Sequence, residues 1–178
     1  MSEKDYLGKV RGERGLLEKI MGYIPGYHGY KEKELRRESD RLVRTEAVNR
    51  LKVAKTAFRR VFANPTNVQK LASDDTYRYE AFNSRIDRVT QRIDRAVAGY
   101  AGMFDAIKVK EDKLDLVIQH DISLIENAES IKAEVEKTTR LVISSDEWRA
   151  EMDSVISKVE EFDKLIDERS NIFRGLQT

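Results

Sequence analysis

The chain has no cysteine, only two prolines and only two histidines among its 178 residues. Without cysteine there is no disulfide framework, no thiolate zinc site and no cysteine nucleophile. The same lack suits a reducing compartment. The residues three positions before His28 and His120 are Pro25 and Val117. The Glu-x-x-His pairs of a dimetal carboxylate bundle are therefore missing. No serine stands in a Gly-x-Ser-x-Gly setting, and no Gly-x-x-x-x-Gly-Lys-Ser/Thr loop exists. No apolar run approaches the roughly 20 residues that a membrane span needs. Met1-Ser2-Glu3-Lys4-Asp5 leads into no signal-peptide core. The reading is a soluble, cytoplasmic protein with no expected catalytic, cofactor-binding or metal-binding residues.

Charge is what the chain has in excess. Charged residues make up 37% of it, well above the usual quarter. The apolar 40% is arranged periodically, which argues against disorder and for long helices with one charged face. The net charge of +1 hides an asymmetry. In residues 1–110, 24 cations face 15 anions, a net of +9; in residues 111–178, 9 face 17, a net of −8. Antiparallel packing of the halves would cancel much of this internally; otherwise the basic half is a surface for an anionic partner.

Six of the nine glycines and four of the seven tyrosines lie in residues 1–30. Glycine is costly inside a helix. Residues 1–29 are therefore expected to be a flexible leader with a short amphipathic segment at Leu16–Tyr23, stopped by Pro25-Gly26. Residues 30–178 are expected to form the bundle domain. A first long helix should run from about Tyr30 to Ala63, with Leu35, Leu42, Leu51 and Phe58 on its seam. Asn64-Pro65 reads as N-cap and first helical residue of the next helix. That second helix carries Phe82, Ile86, Val89, Ile93, Ala96 and Tyr100, with a weak point at Ala72–Thr76. Met103–Lys110 reads as a connector. A third helix carries Leu114, Val117, Leu124, Ala128, Ile131, Val135 and Val142, its seam interrupted by Asp121. Ser144 and Glu147 offer a capping box. The last helix carries Trp148, Met152, Val155, Val159, Phe162, Ile166 and Phe173, with Arg169 as its one seam position that is not apolar. These elements predict an all-α fold, an elongated antiparallel bundle of about four long helices. Asp121 is expected to be a buried carboxylate that sets register, paired with an arginine such as Arg88, Arg92 or Arg95.

Two stretches carry a resemblance. One is Pro25-Gly26-Tyr27-His28-Gly29-Tyr30-Lys31-Glu32-Lys33-Glu34, continuing through Arg36-Arg37-Glu38 to Asp40-Arg41 and Arg44. The other is Gly99-Tyr100-Ala101-Gly102-Met103-Phe104-Asp105-Ala106-Ile107-Lys108-Val109, followed by Leu114-Asp115 and His120-Asp121. Together they resemble a family of uncharacterised bacterial and archaeal all-helical proteins, which implies a prokaryotic, cytoplasmic protein and no particular activity. Tyr27, His28, Tyr30, Lys31, Lys33, Arg36, Arg37, Tyr100 and Phe104 form the candidate interaction surface. Glycine-spaced aromatics beside cations can hold bases or phosphate; they can equally close the end of a bundle. Tyr27 and Tyr30 are expected near the Gly99–Phe104 connector.

The expected role is a non-enzymatic interaction or scaffold protein with a protein partner. The alternative is a peripheral membrane bundle that binds anionic surfaces through its leader and basic first helix. Nucleic acid ranks below both as a partner, and a homo-oligomer stays open.

Overall fold

A computed structural model describes Gly12 and residues 15–29, 33–96 and 111–175. All regular structure among the described residues is helical. Helix α1 spans 15–23. It is followed by α2 (Lys33–Phe62), α3 (Pro65–Gln69), α4 (Ser73–Arg95), α5 (Glu111–Thr138) and α6 (Asp146–Gly175). At 1.5 Å per residue, the 30-residue α2 and α6 are rods of roughly 45 Å.

Asn64 caps α3 by accepting from the Thr66 amide at 3.0 Å, and Pro65 opens the helix. The break expected around Ala72–Thr76 falls slightly earlier, at Lys70–Ala72; Ser73-Asp74-Asp75 opens α4 instead. Acidic groups suit a helix N-terminus, so they start this helix rather than break it. At α6 the cap is Ser145, not Ser144. The Trp148 amide donates to Ser145 Oγ at 3.1 Å. Ser144 takes a left-handed φ of 65°, and its hydroxyl donates to the Lys70 carbonyl at 3.0 Å. It ties the two loops at this end together instead of capping.

Polar contacts fix the helix directions. On α2 and α4, Arg44 meets the Asp94 carbonyl while Lys55 meets Asp87, so the two run antiparallel. On α5 and α6, Asp121 meets Arg169 while Lys137 meets Glu151, again antiparallel. Helices α4 and α6 run parallel. Arg78, Arg85, Arg88 and Arg92 pair with Asp153, Glu160, Asp163 and Asp167, each 75 positions further on. Helix α2 packs on α4 and α5, and α6 packs on the same two. The chain neighbours α4 and α5 do not form one of these extensive pairings.

The core runs the length of the molecule. On α2 its inner stripe is Val43, Ala47, Leu51, Ala54 and Phe58, with Leu42 only half-buried. On α4 it is Phe82, Ile86, Val89 and Ile93, and on α6 Trp148 to Ile166, as the seams predict. Val142, expected on the third seam, is instead 77% exposed in the α5–α6 turn. One end is filled by aromatics. Phe58 and Phe82 have ring centroids 4.8 Å apart, Phe62 and Tyr79 4.4 Å, and Trp148 stands edge-on to Phe62.

The other end is closed by residues 15–29. Ile20, Ile24 and Tyr27 are buried, and Leu16, Leu17 and Tyr23 pack against them. The described part of the expected leader therefore belongs to the core. Its apolar groups recur every three or four residues, and their burial outweighs the local cost of glycine. Gly29 needs to be glycine: its φ is 75°, and an added Cβ would stand 3.1 Å from Leu17 Cδ2.

Candidate functional site

Two interruptions of apolar seams find each other at this end. Asp121 of α5 is fully buried and Arg169 of α6 is 3% exposed. Arg169 Nε donates to Asp121 Oδ1 at 2.9 Å, and its Nη1 donates to Asp40 Oδ1 at 2.7 Å. The second Asp40 oxygen accepts from Arg44 Nε at 2.9 Å. Arg44 Nη1 reaches the Asp94 carbonyl of α4 at 3.2 Å. The Tyr27 hydroxyl donates to Asp121 Oδ2 at 3.2 Å. Beside it the Ser39 hydroxyl donates to the Gly29 carbonyl at 2.8 Å. The relay joins α2, α4, α5, α6 and the segment after α1.

Burying one ion costs several kcal/mol, so such a group persists only when paired and hydrogen-bonded. Here two carboxylates answer two guanidiniums. The arrangement fixes which helix faces meet.

His120 sits next to this relay and is different. It is 9% exposed, and neither ring nitrogen has a partner in good hydrogen-bond geometry among the described residues, the Leu165 carbonyl being the backbone acceptor that faces it. The Glu168 carboxylate is 4.0 Å from Nε2. Burial, and then the Arg169 charge, push the imidazole down to about 4, against the weaker opposite pull of Glu168 and the Leu165 carbonyl. The ring is neutral at neutral pH.

The sequence-derived surface divides. Tyr27 is buried with its hydroxyl on Asp121, and Arg36 is 8% exposed, so neither is a surface group. His28 and Arg37 are exposed. Tyr30, Lys31, Tyr100 and Phe104 lie outside the described residues, as does the Lys33 side chain. The expected meeting of Tyr27 and Tyr30 with Gly99–Phe104 lies outside them too.

Asp121 is buried and paired, but not with Arg88, Arg92 or Arg95. Arg88 and Arg92 face the α6 acids, because α4 packs on α6 and not extensively on α5. A sequence signal did exist. Arg78, Arg85, Arg88 and Arg92 are spaced seven, three and four, and so are Asp153, Glu160, Asp163 and Asp167. Matched charge spacing on two helices is the mark of a parallel ladder. At the aromatic end, fully buried Asp75 accepts from Arg149 at 2.9 Å and pairs with Arg78 at 3.3 Å. The Arg149 hydrogen bond holds its carboxyl below the usual range.

The cations of α2 fare unequally. Arg50 is met by Glu46 and Glu129, and Lys55 by Asp87. Lys52 and Arg60 instead line a shallow groove of about 430 Å³ with Asn49, Val53, Thr56, Ala57 and a single acid, Glu136. Val53 is 49% exposed there.

No family model, no curated protein and no solved structure matches this chain.

Proposed function

We propose that this chain is a non-enzymatic interaction protein: an elongated antiparallel bundle of about four long helices that presents a helical face to a protein partner in the cytoplasm. The observation that carries this reading is the division of its charges. The buried ions are spent on one another and hold helices in register. On α2, Lys52, Arg59 and Arg60 are exposed and in none of the ion pairs among the described residues, so they can meet another molecule. The resemblance to prokaryotic all-helical proteins is part of the same reading.

The alternative, a peripheral membrane bundle, draws on the leader and the basic helix. The leader's Ile20 and Ile24 are in the core, while Met21 is 49% exposed. No described helix is long and apolar enough to cross a membrane.

Gentle isolation of the chain from its native source, followed by native mass spectrometry, tests the proposal. A defined complex with a different polypeptide is the expected result. A chain that is always alone, yet floats with anionic liposomes, would replace this reading with the membrane one.

A further inference from the structure

From Ala47 to Ser73 the sequence contains no Asp or Glu, but holds Arg50, Lys52, Lys55, Arg59, Arg60 and Lys70. Acids make up 32 of the 178 residues, so an acid-free run of this length is a marked local bias. Neighbouring helices answer Arg50 and Lys55. Lys52, Arg59 and Arg60 are in none of the ion pairs among the described residues. The α4 arginines at positions 78, 85, 88 and 92, by contrast, each meet an α6 acid.

We propose that the outer groove of α2, floored by Val53 and Ala57 and edged by Lys52 and Arg60, with Glu136 of α5 its single acid, docks an acidic amphipathic helix of a partner protein. The inference rests on the interaction-protein reading and gives it a place and a chemistry.

Three features select this occupant. The first is shape. Asn49, Val53, Thr56 and Arg60 recur at four and three residues along one helix face, the spacing that a second helix fills. Thr56 and Ala57 are small enough to let it approach. The second is charge. Lys52 and Arg59 are seven residues apart, two turns along the same helix face, about 10 Å along the axis at 1.5 Å per residue. Carboxylates one heptad apart on a partner helix match that interval. The third is the apolar floor, with Val53 half exposed; a phosphodiester backbone would leave it unused. A second copy of this chain fits poorly. An antiparallel two-fold between Lys55 and Thr56, at the middle of this face, would set Lys52 against Arg59, and like charges repel.

The test is a titration of the full chain, followed by amide chemical shifts, with a synthetic helix about three heptads long. Its seam is alanine and leucine, and its flanks are glutamate. Binding should perturb residues 45–60 and weaken steeply with added salt. The double variant K52E/R60E should bind at least about tenfold more weakly. Lys164→Glu, an exposed site on α6, should change nothing. Because the substituted side chains are at the surface, unchanged circular dichroism will show that the fold is intact.

No binding, binding that ignores K52E/R60E, or equal binding of a lysine-flanked helix would overturn the proposal. So would tighter binding at these residues by duplex DNA or by phosphatidylserine vesicles. A native partner cross-linked only to other faces would sink this site while leaving the interaction reading standing. A chain that never carries a protein partner would sink that reading itself.

Discussion

Asp121 and Arg169 show how a single residue's cost is settled by its neighbour. Removing one partner strands the other in the core. Arg169→Met leaves Asp121 and Asp40 without that guanidinium, and Asp121→Leu leaves Arg169 with less than its share of acceptors. Each single change should cost roughly 3–5 kcal/mol in urea unfolding. The double variant should cost clearly less than the sum, because no uncompensated ion remains. Additive losses would mean that the two groups do not depend on each other. His120 gives a pH signature. Its imidazole is held at about 4 in the fold, against roughly 6.5 in an unfolded chain. Between these values the unfolded chain binds the proton and the fold does not, so stability falls as pH drops from 6.5 to 4. Below that the full penalty is roughly 3 kcal/mol. Comparing unfolding of the wild type and His120→Leu at pH 7 and pH 4 should show the variant gaining by about this amount at pH 4. An equal difference at both pH values would show that His120 takes its proton without strain.

The elements are held by different means at the two ends. The aromatic end is packed by Phe58, Phe62, Tyr79, Phe82 and Trp148. The opposite end depends on residues 15–29, pinned by Tyr27 on Asp121, by Lys19 on Glu126 at 2.7 Å and by the Gly29 carbonyl on Ser39. Tyr27→Phe loses one buried hydrogen bond, about 1 kcal/mol. Gly29→Ala meets Leu17 in a backbone conformation that disfavours alanine. Both should raise amide exchange in residues 15–29 first, with the aromatic end still protected. Uniform loss of protection would show that the segment unfolds only with the whole bundle. Much of this layer was legible in the sequence. The seams of α4 and α6, the Asn64 cap and the break before α4 follow from local spacing alone. The docking of α1 was not, because six glycines in the first thirty residues argue for mobility while Leu16, Ile20, Ile24 and Tyr27 argue for packing. Only the presence of an open bundle end decides between them.

For the whole molecule, what sequence spacing could not supply was which helices touch. Chain order suggests that α4 and α5 are partners, and with them Asp121 and the arginines of α4. The observed arrangement puts α4 beside α6. That pairing shows what the α6 acids answer: they face the α4 arginines along their length. It also explains why α2, beyond Glu46, is left with cations to spare. On the proposed function, these spare cations serve a protein partner. The most direct measurement is native mass spectrometry of the chain isolated gently from its source, repeated with K52E/R60E in place of the wild type. A heteromeric complex seen with the wild type and lost with the variant is the predicted result. A wild-type chain with no bound polypeptide under any gentle condition would contradict it.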